Sequence, residues 1–256
     1  MNEDMLDQNL IVHGMWIGGI LGDLELLTLK SFLHHGHEFH LWIYDDVGPV
    51  PEGVVIEDAS EIISMKDVFR YPADANMDFY GGAGSYAGFS DIFRYKLLYE
   101  KGGWWSDMDI TCLKPLNTWE PYCFRNHWKL LVVGNIMKVP PKSELMRICY
   151  ERAAEEIDEN NKCWNKPIEI LCETIEKLKL NKFIRYGLGN LDHQQESGLY
   201  LYDTNDFPQA WCFVHWMNAA KQDGYIEESA FCRLLQEYGL HVTKYETTDK
   251  DWSRFV

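Results

Sequence analysis

Two carboxylates separated by one residue, Asp107 and Asp109, lie in the segment GGWWSDMDI (102–110), directly behind a pair of tryptophans. On an extended chain, residues two apart point to the same side, so the spacing predicts two carboxylates facing one place at the end of a strand. Paired oxygen ligands suit Mg²⁺ or Mn²⁺, which keep open positions for phosphate oxygens. Because most Asp-x-Asp pairs in an acidic protein are solvated loop residues, the surrounding sequence has to decide between these interpretations.

The charge balance favours a metal site. The chain of 256 residues carries a formal net charge of −16, which argues against a nucleic-acid surface and against a patch for anionic membranes. An anionic substrate would therefore need local positive charge or a metal ion. A divalent cation held by Asp107 and Asp109 would meet this need, since it would lie between the acidic protein and an anionic diphosphate.

Cysteine usage and the N-terminus bear on location. Seven cysteines, an odd number without a CxxC pair, suit free thiols in a reducing compartment better than a disulfide framework. The opening residues, MNEDML, are acidic where a signal peptide would be basic. No apolar run of the sequence approaches the roughly 18 residues that span a bilayer. We therefore expect a cytoplasmic protein without a transmembrane segment.

Alternating strand and helix patterns in the first half position the acidic pair. The segments 8–19 and 38–46 have the pattern of buried strands, with an amphipathic helix at 22–35 between them and a third strand at 53–60. This β-α-β-β order predicts an α/β domain with a Rossmann-like sheet. Ligands of such sheets bind beyond the carboxyl ends of the strands.

A second helix is predicted within residues 81–103, immediately before the acidic pair. Its aromatic and aliphatic residues recur at helical spacing, and Gly102–Gly103 supplies a stop before an extended segment at 104–116. Asp91 and Arg94 lie three residues apart and share one face of this helix. They form either a simple intrahelical ion pair or part of a ligand site.

The patterns are less regular in the second half of the chain. Residues 127–137 have the composition of a strand, and the segments 142–157 and 163–180 have helical spacing. The sequence contains no internal repeat and no convincing linker. We therefore expect a single domain over residues 1–256.

The stretch SDIFRYKLLYEKGGWWSDMDI (90–110) resembles the core of the DXD-containing glycosyltransferases of family 32. These enzymes are related to the yeast initiating mannosyltransferase and, more distantly, to the glucosyltransferase domains of clostridial toxins. The family pattern is met at Ser90, Asp91, Arg94, Tyr95, Leu98, Gly102, Gly103, Asp107 and Asp109. HGMWIGG (13–19) is similar to the family's opening strand. The resemblance covers roughly residues 10–116 and implies a GT-A fold, with a mixed central sheet flanked by helices.

The resemblance assigns roles to individual residues. Asp107 and Asp109 would hold Mn²⁺ (or Mg²⁺) and, through it, the diphosphate of a nucleotide-sugar donor. Asp91 would accept hydrogen bonds from the donor-sugar hydroxyls, and Arg94 would contact the sugar or the phosphate. Trp16 would stack on the nucleobase.

Two further positions depart from the family pattern. Trp105 stands where the family usually has Tyr, and its indole offers the donor a stacking face but no phenolic hydroxyl. His215, in FVHWMNAAK (213–221), resembles a His-x-Trp element, but the downstream Ser-Trp of that element is missing. Since a third metal ligand often comes from late in the chain of GT-A enzymes, His215 is either that ligand or a packed histidine.

The resemblance implies a metal-dependent, retaining glycosyltransferase of the hexosyltransferase type, acting in polysaccharide or glycoconjugate biosynthesis. Its donor would be a nucleotide sugar, with UDP-sugar favoured over GDP-sugar, and its acceptor a glycan, a lipid-linked glycan or a protein. Residues of about 8–120 would bind the donor and the metal, and residues of about 121–256 would face the acceptor. The metal would stabilise the leaving diphosphate, and a phosphate oxygen could take the acceptor's proton, so no protein base is required.

Two other functions stay open. The first is a non-catalytic nucleotide-sugar-binding protein on the same fold, which the presence of Asp91, Arg94, Asp107 and Asp109 disfavours. The second is a metal-dependent nucleotidyltransferase, which would need a basic, glycine-rich phosphate loop near the first strand. WIGGILGD (16–23) has the glycines but no Lys or Arg, so this function ranks last.

Overall fold

The computed structural model describes residues 10–74, 83–218 and 224–240. In the first half these ranges contain β1 (Ile11–Trp16), α1 (Asp23–His34), β2 (Glu38–Ile43), β3 (Val55–Asp58), α2 (Ala87–Lys101), β4 (Gly103–Ser106) and β5 (Ile110–Cys112). In the second half they contain β6 (Cys123–Asn126), β7 (Val132–Val139), α3 (Glu144–Glu156), α4 (Lys166–Lys177), β8 (Ile184–Arg185), α5 (Gln194–Tyr202), β9 (Phe213–His215) and α6 (Ala230–Glu237).

The central sheet has seven strands in the order β3-β2-β1-β4-β7-β6-β8. β1 pairs in parallel with β2 and β4, and β2 pairs in parallel with β3. β7 runs antiparallel to both of its neighbours, β4 and β6, whereas β6 and β8 are parallel. The α/β class and the mixed, Rossmann-like sheet expected of a GT-A fold are confirmed.

The Trp104–Trp105 pair joins β4 to the layers on both faces of the sheet. Successive strand residues point to opposite faces. Trp104 belongs to a buried cluster with Phe32 of α1 and Phe39 of β2. Trp105 belongs to the cluster on the other face, together with Phe93 of α2 and residues of α3 and α4. The aromatic pair therefore fixes β4, and with it the start of the acidic pair, between helices on both sides.

The carboxyl ends of β1 and β4 lie side by side at one edge of the sheet. The register pairs Val12 with Trp104 and His13 with Trp105, and β1 then ends at Trp16. Because α/β sheets bind ligands at this edge, the residues that follow β4 are well placed to form a site. Those residues are the acidic pair.

The acidic pair lies in a turn, and the prediction of one extended segment over 104–116 is wrong at this point. Residues 107–109 separate β4 from β5, which leaves the central sheet and pairs antiparallel with β9. The Asp107 N–H donates to the Asn135 carbonyl at 2.7 Å, and the Thr28 hydroxyl donates at 2.9 Å to the carbonyl between the two acids. Both partners are remote in sequence, so local composition could not predict the break.

The strand predicted at 127–137 begins later than expected, as β7. The His127 Nδ1 accepts the backbone N–H groups of Lys129 and Leu130 at 3.1 and 2.8 Å. These hydrogen bonds close a turn ahead of the strand, in a segment whose apolar composition suggested strand. The side chain of His127 thus overrides the strand propensity of its neighbours.

The remaining predicted elements are confirmed, with bounds a few residues shorter. The helix expected within 81–103 corresponds to α2, and the first two glycines of that segment lie outside the described residues. The helix is capped by Gly102, whose φ is +69° and whose added Cβ would lie 2.5 Å from Pro141. Both the backbone angle and the close approach require glycine there.

None of the helices in the described ranges is long and apolar enough to cross a membrane. All seven cysteines are free, as predicted. Burial raises the pKa of Cys112 to about 12, so this thiol beside the acidic pair is a packed core group and no nucleophile.

Candidate active site

Arg94 links the helix α2 to the acidic turn. Its Nη1 lies 2.8 Å from Asp91 Oδ1, and its Nη2 lies 2.9 Å from Asp107 Oδ1. The intrahelical ion pair considered from the sequence is therefore present, and the same guanidinium also binds the first acid of the pair. Because Arg94 is buried, both interactions are shielded from solvent.

Gly134 on β7 makes room for this guanidinium. A Cβ added at Gly134 would lie 2.4 Å from the Nη1 of Arg94. The guanidinium carbon also lies 5.1 Å from the centre of the Trp105 ring, a cation–π distance. Arg94 thus lies against the backbone of β7 and an aromatic side chain of β4.

Trp105 contributes a hydrogen bond where its ring was expected to stack. Its Nε1 donates to Asp107 Oδ1 at 2.6 Å, and the residue is only 1% exposed. The indole face that the resemblance offered to the donor is covered by Phe93 and Arg94. Trp105 therefore supplies an N–H to Asp107. Its role in donor binding stays a prediction, and any such role would be indirect, through Asp107.

The two acids of the turn differ in exposure. The side chain of Asp107 is 31% exposed and that of Asp109 only 8%. Burial raises the pKa of Asp107 although Arg94 opposes this shift. Burial likewise raises the pKa of Asp91 to about 6, against the attraction of Arg94. One guanidinium thus serves two carboxyl groups that burial makes costly to ionise.

Asp109 is bound by the last residue of β9 and by the segment that follows this strand. Its Oδ2 accepts the backbone N–H of Asn218 at 2.8 Å, and its Oδ1 lies 3.2 Å from the Nε2 of His215. Met217 and Asn218 have φ values of +53° and +54°, which turn the chain back toward Asp109. Burial would raise the pKa of Asp109, but His215 and the Asn218 N–H outweigh it and lower the pKa.

His215 lies between two carboxylates. Its Nε2 faces Asp109, and its Nδ1 donates to Asp192 Oδ1 in a short hydrogen bond. Burial alone would lower the pKa of His215, but Asp109 and Asp192 together raise it to about 10. The imidazole is therefore protonated at neutral pH, and its charge stabilises both buried acids.

The residues that the resemblance assigns to metal binding carry atoms that are suitable ligands for a divalent metal ion. Carboxylate oxygens and an imidazole nitrogen are suitable ligands for Mn²⁺, and Asp109 and His215 already present such atoms to each other. A carboxylate behind the histidine, here Asp192, is the usual support of a metal-bound imidazole. Across the described residues, however, no group of three or more His, Cys, Asp or Glu is arranged as a metal site. Metal binding would require loss of the Nε2 proton of His215.

Trp16 lies at the same edge of the sheet, at the carboxyl end of β1. Its ring is half-buried against the cluster that contains Trp104, and its Nε1 donates to the Gly19 carbonyl at 2.9 Å. The ring is thus fixed in direction while part of it stays exposed. Stacking on a nucleobase remains a prediction for this residue.

A buried polar network behind His215 was missed by the sequence analysis. It consists of Arg125, Asn135, Asn190 and Asp192, all of them buried. The Arg125 Nη1 donates to Asn135 Oδ1 at 3.1 Å and lies 3.6 Å from Asp192 Oδ1. These residues lie on β6, on β7 and in a loop. No spacing pattern in the sequence predicts that these residues meet. The one available signal was the Asn-x-Asp pair at 190–192, which follows two glycines in a loop.

Comparison with known proteins shows what the segment around this site is similar to. Residues 52–124 match the family model described as a glycosyltransferase sugar-binding region containing a DXD motif. The match includes Asp91, Arg94, Asp107 and Asp109. The prediction of a DXD-containing glycosyltransferase region is therefore confirmed over residues 52–124.

Individual relatives are distant. The chain is 24% identical over 117 residues to "Subversion of eukaryotic traffic protein A" of Legionella pneumophila, over 41% of this chain and 17% of that protein. Among solved structures it is similar to "PaToxG Glycosyltransferase", with 13% identity, a TM-score of 0.49, and 69% and 74% of the two chains covered. A transferase carrying two cysteine-to-serine substitutions has 10% identity and a TM-score of 0.42, with coverage of 72% and 88%. The chain thus matches less than a fifth of the length of its Legionella relative.

Proposed function

We propose that this chain is a metal-dependent, retaining glycosyltransferase of the hexosyltransferase type that uses a nucleotide-sugar donor. The observation that carries the proposal is the convergence of Asp91, Arg94, Asp107, Asp109 and His215 at the carboxyl edge of the sheet. These residues come from one helix, one turn and one late strand. A solvated loop pair would not be tied to a buried arginine and a buried histidine.

The chain's own residues would divide the work of donor binding. Asp109 and His215, with Asp107, would hold Mn²⁺ or Mg²⁺, and Arg94 would keep Asp107 and Asp91 in position. Asp91 would accept hydrogen bonds from hydroxyls of the donor sugar, and the partly exposed ring of Trp16 would stack on the base. When bound, the divalent ion would supply charge stabilisation for the leaving diphosphate.

The acceptor's proton does not need a protein base in this proposal. A leaving phosphate oxygen would take it on the face where the acceptor attacks, as retention of configuration requires. The protein would contribute by orienting the donor sugar and the acceptor, which supplies much of the rate enhancement. The buried Arg94 is already bonded on both sides, and we assign it the positioning of carboxylates and no proton transfer.

The donor and acceptor are proposed only by class. A UDP-sugar is favoured and a GDP-sugar is the alternative, with a glycan, a lipid-linked glycan or a protein as acceptor. We place the donor and the metal mainly in residues 8–120 and the acceptor mainly against residues 121–256 of one domain. The proposed setting is cytoplasmic assembly of a polysaccharide or glycoconjugate.

One observation favours the alternative, a nucleotide-sugar-binding protein without activity. Asp109 and His215 already satisfy each other, and the imidazole carries a proton at neutral pH because two carboxylates raise its pKa to about 10. A site that stayed in this state would bind sugars or nucleotides through its polar groups and would not recruit a metal. The two functions differ in whether a metal ion changes what the protein does.

Donor hydrolysis tests the proposal. Purified full-length chain would be incubated with UDP-, GDP-, CMP- and dTDP-sugars, each with Mn²⁺ and with EDTA, and the released sugar measured. We expect Mn²⁺-dependent release from one donor, UDP-linked first. Binding of one nucleotide sugar that Mn²⁺ does not strengthen, without any release when glycan, lipid and protein acceptors are added, would overturn the enzyme assignment in favour of the binding protein.

A further inference from the structure

The backbone of His215 is hydrogen-bonded to the loop that precedes α5 and to the first turn of α5. The Asn190 Oδ1 accepts the His215 N–H at 2.8 Å, and the Asn190 Nδ2 donates to the His215 carbonyl at 2.8 Å. The Ser197 hydroxyl donates to the same carbonyl at 3.0 Å. Since β9 has only three residues, these bonds add to the pairing of His215 with Ile110 of β5 in positioning His215.

The ring of His215 is held by Asp192, which lies two residues after Asn190 in the same loop. Asp192 Oδ1 accepts the hydrogen of the His215 Nδ1. The nearby Asn135 Nδ2 lies 3.0 Å from this nitrogen, but the Asn135 Oδ1 accepts from Arg125, so the amide presents its N–H groups to the ring. An amide nitrogen cannot accept the Nδ1 hydrogen. An ionised carboxylate can only accept, so the hydrogen between Asp192 Oδ1 and the ring lies on the His215 Nδ1.

Asp192 is itself held in place. The Asn135 Nδ2 lies 3.4 Å from each of its carboxylate oxygens, the Arg125 Nη1 lies 3.6 Å from Oδ1, and the His127 Nε2 lies 3.9 Å from Oδ2. Asp192 is buried, so these charge-assisted contacts are not exchanged for water. Its carboxylate cannot rotate without breaking them.

An imidazole that donates from Nδ1 has Nε2 as its only free lone pair in the neutral form. In this structure Nε2 faces Asp109 Oδ1 at 3.2 Å. We propose that Asp192 is a positioning residue, which fixes the tautomer and direction of His215 so that Nε2 is the nitrogen presented beside Asp109 to a divalent cation. The inference rests on the proposed metal-binding role of His215 and adds a residue outside the DXD region.

A purely structural role for Asp192 makes a different prediction. In that case Asp192 would serve as counter-charge to the buried Arg125, and its removal would lower stability without changing the cation affinity of the molecules that stay folded. In a positioning role, its removal leaves the imidazole free to turn or to change tautomer. Cation affinity then falls even where the fold is intact.

The experiment measures Mn²⁺ affinity of the purified full-length chain by electron paramagnetic resonance, without donor or acceptor. Asp192→Ala should weaken binding by about 10- to 100-fold, as loss of a supporting carboxylate does at metal-bound histidines. Asp192→Asn, which keeps an oxygen acceptor, should restore part of it. Asp206→Asn is the matched control, since Asp206 is exposed and pairs with the surface residue Arg233, and this variant should bind as the wild type does.

The outcomes separate this inference from the proposed function. If His215→Ala loses Mn²⁺ but Asp192→Ala binds as the wild type does, Asp192 has no positioning role and the metal site stands. If the wild type binds no Mn²⁺ even with UDP or GDP present, the metal site itself is wrong. Should Asp192→Ala not fold, ¹⁵N NMR of the wild type with Zn²⁺ decides: a proton on Nδ1 with the metal on Nε2 supports the inference, and the reverse tautomer overturns it.

Discussion

At the scale of single residues, the site depends on a guanidinium that two carboxylates share. Arg94 binds Asp91 and Asp107 through different nitrogens, at 2.8 and 2.9 Å, inside the protein. A planar fork with several donors can do this, whereas the ammonium of lysine is a point charge on a flexible stem. The position of Asp107 therefore depends on the shape of arginine as well as on its charge.

Arg94→Lys should lower Mn²⁺-dependent donor hydrolysis by about tenfold or more, because one charge-assisted hydrogen bond worth about 1.5–3 kcal/mol is lost. The matched control is Arg147→Lys. Arg147 also bridges two acids, Glu144 and Glu151, but on the exposed surface of α3, where such pairs contribute little. Equal activities of the two variants would show that Arg94 does not position the site.

The indole N–H of Trp105 should contribute to donor hydrolysis, whereas the aromatic ring alone should contribute only to stability. Trp105→Phe keeps an aromatic ring but removes the donor to Asp107, so we expect reduced donor hydrolysis in addition to a loss of stability. Trp104→Phe is the matched control, since the buried Trp104 Nε1 has no hydrogen-bond partner among the described residues. Kinetic assays and thermal melts of both variants would be compared. A Trp105→Phe enzyme as active as Trp104→Phe would show that this hydrogen bond is dispensable.

At the scale of elements, the site is assembled from side chains of α2, of the turn after β4 and of β9, next to β7. The packing at Gly134 of β7 affects the site directly, since a side chain there would occupy the space of the Arg94 guanidinium. A glycine in the middle of a buried strand weakens that strand. The close approach of Arg94 explains why a glycine occupies this position.

Gly134→Ala should displace Arg94 from Asp107 and lower donor hydrolysis severely, with a destabilisation of about 1–3 kcal/mol from overpacking. Gly198→Ala in α5 is the control, because among the described side chains its added Cβ would meet Tyr202 at 3.8 Å, an ordinary contact distance. That variant should be as active as the wild type and at least as stable. A fully active Gly134→Ala protein would mean that Arg94 can hold Asp107 from another position.

The sequence predicts those elements whose signals are local. β1 to β3, α1 and α2 were recognisable because their apolar residues recur at strand or helix spacing, and Asp91, Arg94, Asp107 and Asp109 because they follow a motif. The turn at 107–109 was not predictable, since its hydrogen-bond partners Thr28 and Asn135 are remote in sequence. The same holds for Asp192, which meets His215 only through the pairing of β5 with β9 and the loop before α5.

At the scale of the whole molecule, the central sheet also holds a buried histidine outside the candidate site. The candidate site occupies the carboxyl edge of β1 and β4. The interior of β1 holds His13, whose Nδ1 accepts the N–H of Trp42 at 3.2 Å and whose side chain is buried. Burial, together with His40 and Lys101, lowers the pKa of His13 to about 3. This histidine stays neutral in the folded protein and contributes to stability in a pH-dependent way.

Between about pH 3 and pH 6.5 the unfolded chain binds a proton at this position and the folded chain does not. Stability should therefore fall as the pH drops below about 6.5, by up to about 1.4 kcal/mol per pH unit from His13 alone. His13→Gln keeps an acceptor for Trp42 and removes the titration. Urea unfolding at pH 7.5 and pH 5 should show a smaller loss for the variant. An equal loss in both proteins would mean that His13 is not the group responsible.

The central claim is that the acidic turn is a metal-dependent transfer site, and Asp109→Asn tests it most directly. The variant keeps the shape of Asp109 and an acceptor for the Asn218 N–H but removes the charge that faces His215. With Mn²⁺ and the preferred nucleotide sugar, we expect wild type and Asp206→Asn to release sugar and Asp109→Asn to release none, although near-UV circular dichroism shows it folded. Full activity of a folded Asp109→Asn protein would contradict the account.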